Sequence, residues 1–140
     1  LMNFSYLYKP LPLFITLSLG VIVNPATGHH GFSNHFDPNQ ETSIEGKVTQ
    51  YEFRNPHVLI HIDVINLQGN TEKWLIESAA VTTFYREGGL SQDSLKPGDF
   101  IIVRGHPSRH GAPEMRLNWI RFPNGDEMQR GSPVLEVPFL

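Results

Sequence analysis

Histidine is the residue of this 140-residue chain best suited to do chemistry: there are seven, and no cysteine competes with them. Neutral imidazoles suit zinc, copper or nickel, so spacing decides what they can hold. His29 and His30 stand side by side in "NPATGHHGF", directly behind an apolar run and a small-residue step. If the chain is cleaved after Gly28, His29 gains a free α-amine, a group with a pKa of about 8 in model peptides. That amine and the His29 imidazole can chelate one ion together, and a third nitrogen from His30, His35 or His57 completes a tetragonal set. Such a set favours Cu(II), with zinc as the alternative metal. The plainer alternative is a tail whose histidines bind nothing.

The remaining candidates each carry a structural alternative. His57 and His61 share a strand face, but four residues at a rise of ~3.3 Å set them about 13 Å apart, too far for one ion. Asn-Pro initiates turns, so Asn55 and Pro56 are expected to shape a corner; His57 either ligates or donates its ring N–H to a loop carbonyl. Glu77, after "WLI", can accept from an imidazole and orient it behind a metal, or can be an exposed charge at a strand end. Trp74 and Trp119 sit at core parity and are expected to pack rather than to offer a stacking platform. No Gly-x-Ser-x-Gly turn, phosphate loop or His-Glu-x-x-His helix is present. Ser78 and Ser94 read as cap and turn residues. A stand-alone enzyme is therefore not expected, and an oxygenase with a copper brace of amine and two histidines stands third, without a visible substrate platform.

The elements that must position these residues follow from periodicity. Lys9 is the only charge in residues 1–28, "LPLFITLSLGVIV" is almost wholly apolar, and Ala26 and Gly28 make a small-x-small step. This is the layout of a signal peptide, so export to a periplasm or secretion is expected, with no membrane span after cleavage. The formal charge is −3 with no like-charge run, and loss of Lys9 makes it more acidic. An acidic, unclustered surface argues against nucleic acid as a partner. Residues 29–41 read as an N-terminal arm, 42–127 as one barrel domain and 128–140 as a C-terminal tail that Pro133 and Pro138 keep out of a central strand.

Within 42–127 the pattern is strand, strand, strand, helix, strand, strand. In "SIEGKVTQYEF" the inward face switches between Val48 and Tyr51, which calls for a bulge, with Gly46 easing the bend. "VLIHIDV" alternates, with Val58, Ile60, Ile62 and Val64 inward. "NLQGN" is a hairpin turn before "TEKWLIES". Ser78 is placed to cap a helix over "AAVTTFYRE", with Ala80, Val81, Phe84 and Tyr85 as its apolar stripe and Gly88-Gly89 as its stop. "FIIVRG" and "EMRLNWIRF" complete the set. The fold class expected is all-β with one short helix, a five-stranded Greek-key barrel like the oligonucleotide/oligosaccharide-binding (OB) fold; an open five-stranded α+β sheet is the alternative.

The stretch "HHGFSNHFDPNQETSIEGKVTQYEFRNPHVLIHIDV", with "WLIES" and "SLKPGD" after it, resembles an uncharacterised family of small exported bacterial proteins, a domain of unknown function. Members of that family begin the mature chain with His-His-Ser-Phe, continue to Phe-Asp-Pro and carry Thr-Asn-Pro-His before the second strand. Gly31 stands here in place of the serine and Arg54 in place of the threonine. His61, His106 and His110 fall where the family more often has other residues. The resemblance implies an exported domain and supplies no activity.

The residues themselves lead to an exported small binding protein that takes a transition-metal ion, copper favoured, through His29, His30, His57 and His35, with Asn55 and Glu77 behind them. It would serve in metal handling or as an accessory factor to a periplasmic protein. The rival is a metal-free module whose outer strand face, Leu59, His61 and Asp63, holds a protein or glycan.

Overall fold

The computed structural model of the chain describes residues 32–130 and 134–135. The histidine pair His29 and His30 and the segment 1–28 lie outside the described residues. The first element is a single helical turn, α1 (Phe32–His35), where an extended arm is expected from sequence. The strands that follow are β1 (Thr42–Glu52), β2 (Leu59–Ile65), β3 (Thr71–Glu77), β4 (Phe100–Pro107) and β5 (Glu114–Arg121), with α2 (Val81–Glu87) between β3 and β4.

β1 is long enough to serve two neighbours. Residues 42–47 pair with β4 and residues 47–52 pair with β2. Its register slips between Val48 and Gln50, leaving Thr49 as the extra residue. This is the bulge that the sequence parity requires, and it hands the inward face from Ile44 and Val48 to Tyr51 and Phe53. Gly46 has a different task from easing a bend: a Cβ there would collide with the Asp63 carbonyl of the adjacent strand.

β2 and β3 form an antiparallel hairpin, and β4 and β5 another. The end of β3 then runs parallel to the start of β5, pairing Leu75 with Glu114 and Glu77 with Arg116. Pairing therefore goes round a circuit, β1-β2-β3-β5-β4 and back to β1. A closed five-stranded Greek-key circuit with a helix between the third and fourth strands is an OB-like barrel. Its interior holds Val58, Ile60, Ile62, Ile76, Val103 and Leu117 in one cluster, with Trp74 partly buried against it. α2 adds Val81 and Phe84 to the same core.

Three local expectations are corrected. Ser78 does not cap α2: Ala80 occupies the cap position and no side chain bonds there. The Ser78 N–H is still engaged with the Val58 carbonyl at 2.8 Å, which ties the residue just past the end of β3 to the one just before β2, and its Oγ is buried without a partner. Tyr85 is not on the buried stripe, since a helix of two turns presents only Val81 and Phe84 inward and leaves Tyr85 78 % exposed. Trp119 is not at core parity. Arg104 pairs with Trp119 but Gly105 pairs with Leu117, so Asn118 is an extra residue and every side chain beyond it changes face. Ile120 goes inward and Trp119 goes out, with the Arg104 guanidinium 4.4 Å and that of Arg121 5.4 Å from its ring centre. Gly105 permits the bulge because any Cβ there would strike the Arg116 carbonyl.

Beyond residue 121 the turn at residues 122–126, closed by Phe122 N–H on the Asp126 carbonyl at 2.8 Å, leads to β6 (Glu127–Gln129), which pairs with β5. β7 (Val134–Leu135) pairs with β6 in turn. Met128, inside the segment read as a tail, is 1 % exposed and belongs to the core. No helix among the described residues is long and apolar enough to cross a membrane.

Candidate functional site

The arm enters the barrel beside the β4–β5 loop, and backbone bonds hold it there. Arg109 donates its N–H to the His35 carbonyl at 2.9 Å, and Asp37 donates to the Pro107 carbonyl at 2.9 Å. Between them Phe36 is buried and bridges Ser108. These contacts fix His35, the last residue of α1, against the first residue of β5: its Nε2 lies 2.7 Å from Glu114 Oε2. The His110 ring centre is 6.1 Å from that of His35. With the Nε2 proton directed at Glu114, Nδ1 keeps a lone pair for a further ligand. That is the way carboxylates orient metal-binding histidines.

A second histidine–carboxylate pair lies where the β1–β2 corner meets β3. The Asn55–Pro56 peptide is cis and Asn55 is exposed. His57 Nδ1 lies 2.9 Å from Glu77 Oε1. The register explains the proximity, because Leu59 stands opposite Glu77 and Glu77 opposite Arg116. Arg116 Nη1 donates to the same Glu77 oxygen, and the Arg116 side chain is only 11 % exposed. Burial, and after it the nearby Arg130 charge, pull the Arg116 guanidinium below its ordinary range, against the pull of Glu77. His57, Arg116 and Arg130 open onto one cavity of about 520 Å³ beside α2.

The outer face of β2 is occupied differently. His61 Nε2 lies 3.0 Å from Glu52 Oε1, and Arg54 pairs with the other oxygen of the same carboxylate. The hydrogen bond from His61, then Arg54, hold the Glu52 carboxyl below its ordinary range. Leu59 is half-buried, and Asp63 Oδ1 is shielded from water without a partner. His57, which lies before β2 begins rather than on its face, and His61 go to separate carboxylates.

Of the residues singled out from sequence, the structure joins His57 to Glu77 and places His35 elsewhere, on Glu114. Among the described residues no three His, Asp or Glu side chains converge as a metal ion would require. Glu114, Arg116, Arg130 and His110 were not picked out by sequence reasoning. Alternation in "EMRLNW" does send Glu114 and Arg116 outward, but only the parallel β3–β5 pairing brings them to the two histidines.

The model of a family of unknown function (DUF6152) matches residues 18–115. The chain belongs to this family. The DUF6152 match takes in both histidine–carboxylate pairs and ends one residue before Arg116. No curated protein matches the chain. Among solved structures, the mitochondrial single-stranded DNA binding protein Rim1 from S. cerevisiae is similar at 11% identity and a TM-score of 0.45, over 65% of this chain and 95% of that one. A ZRD-deleted mutant of TiaS in complex with agmatine is similar at 20% identity and a TM-score of 0.42, over 59% of this chain. The chain spans 21% of the length of that TiaS protein. Both scores are low, and the OB-like assignment rests on the strand pairings themselves.

Proposed function

We propose that this protein is an exported binding protein that holds one transition-metal ion, copper in preference to zinc, with nitrogens from His29, His30 and His35. Its place is in metal handling or as an accessory factor to a periplasmic partner. The observation that supports this most is the fixed position of His35, anchored through its carbonyl and its Glu114 contact on the barrel wall. His30 stands two residues before Phe32 in the sequence and five before His35, a short separation that supports a ligand set shared with His35. His57, which sequence alone offers as an equal ligand, is the poorer choice. Arg116 shares its carboxylate, and a second guanidinium acts on the same corner, which disfavours a bound cation.

The test is a Cu(II) titration of the protein recovered from export, with its start fixed by intact mass. A chain beginning at His29 is expected to bind one Cu(II). One extra residue before His29 takes the amine out of the chelate, and affinity then falls sharply. His35→Ala is expected to weaken binding as well. A start elsewhere, or affinity indifferent to both changes, overturns the proposal.

A further inference from the structure

We propose that the cavity between α2 and the outer face of β5 is a binding site for a small carboxylate ligand, held by Arg116 and Arg130. Its volume of about 520 Å³ lies in the range of small-molecule sites. The proposal goes beyond the metal reading and does not depend on it.

Three features point to an anion. Arg116 is nearly buried, its Nη1 is satisfied by Glu77, and its Nε is shielded from water without a partner, so the guanidinium is short of acceptors. Arg130 lies near enough to act on Arg116 as a like charge. Among the described residues no carboxylate stands within ion-pair distance of Arg130. Two guanidiniums that repel each other, only one of them bonded to a carboxylate, are relieved by an added anion between them. A planar carboxylate suits the guanidinium fork. Thr83 brings a hydroxyl to the same wall, and His57 brings an imidazole whose Nδ1 is occupied by Glu77.

The charge balance selects the class of anion. Glu77 already answers Arg116, and Glu87 also lines the cavity. Arg130 is thus the guanidinium left without a carboxylate at ion-pair distance among the described residues, and Glu87 brings the net charge of the lining close to zero, which suits a monoanionic carboxylate group better than a phosphate carrying about −1.5 to −2. Glu87 repels the anion from the α2 side and directs it toward Arg130.

The probes are acetate, benzoate and inorganic phosphate, titrated into the full chain at constant ionic strength and followed by NMR of the arginine side-chain N–H and the Thr83 amide. Saturable shifts at Arg116, Arg130 and Thr83 with a carboxylate probe are expected, with weaker binding of phosphate. Arg130→Gln changes an exposed side chain, avoids the folding risk of altering Arg116, and is expected to lower carboxylate affinity at least tenfold. Glu87→Gln is expected to raise it. No saturable binding, shifts confined to other surfaces, a preference for phosphate, or affinity unchanged in Arg130→Gln would each overturn the proposal.

Discussion

The molecule carries two histidine–carboxylate pairs of the same chemistry in two different settings. His35–Glu114 joins the arm to the start of β5, half-buried like the other pair, with the Phe36 ring at 4.6 Å and another imidazole, His110, at 6.1 Å from His35. His57–Glu77 joins the β1–β2 corner to β3, and its neighbour is a nearly buried arginine that uses the same oxygen. An imidazole backed by a carboxylate is a good metal ligand in isolation. What separates the two is the third group, an imidazole near His35 and a guanidinium near His57, and on the proposed readings the first corner takes a cation and the second an anion. Histidine–carboxylate geometry is common to both corners, so the proposed assignment rests on the charge of the third group.

Several perturbations sharpen or break this contrast. The largest effect is expected from Ile60→Ala, in the fully buried wall of β2, at about 2–5 kcal/mol by chemical denaturation. That loss loosens the scaffold common to both corners, and a loss below about 1 kcal/mol would mean the two are not held by one core. Glu77→Ala comes next, at about 1–3 kcal/mol, because it strips a nearly buried guanidinium of its acceptor. Glu114→Ala is expected to cost less than about 1 kcal/mol, because this half-exposed pair competes with solvent and leaves no nearly buried charge behind. Equal costs would erase the distinction between the corners.

Metal affinity separates them in the opposite order. Glu114→Gln is expected to lower Cu(II) affinity about 10–100-fold by releasing the His35 ring, while His57→Ala leaves it within about twofold, on the proposed absence of a metal contact there. A greater loss from His57→Ala would move the metal to the other corner. Binding is also expected to fade in acid, where protons compete for the imidazole lone pairs.

The smallest effect concerns acid stability. The Glu52 carboxyl is held below its ordinary value of 4.5, first by the bond from His61. Below that value the unfolded chain takes up a proton that the folded chain does not, so the contribution of Glu52 is present above 4.5 and is lost as pH falls through the lower folded value. Glu52→Gln is expected to flatten the acid limb of a stability-against-pH curve slightly. An unchanged limb would show that the His61–Glu52 contact does not outlast solvent competition.

Sequence by itself determined the elements and most of the barrel wall. Alternation over "VLIHIDV" put Val58, Ile60 and Ile62 inside, and the parity change before Tyr51 located the bulge to within two residues, because side-chain period and strand geometry are local properties. It also singled out the histidines and Glu77 as groups able to work together. Tertiary structure alone decided which groups meet. Trp119 left the core through an extra residue at Asn118, a slip that appears only when β5 is laid against β4. Ser78 stayed beside the end of β3 because Val58 claimed its backbone. Glu114 and Arg116 became the partners that give each histidine its electrostatic character only because β3 and β5 close the barrel in parallel. That closure joins strands separated by α2 and the whole of β4, so neither periodicity nor spacing along the chain carries it.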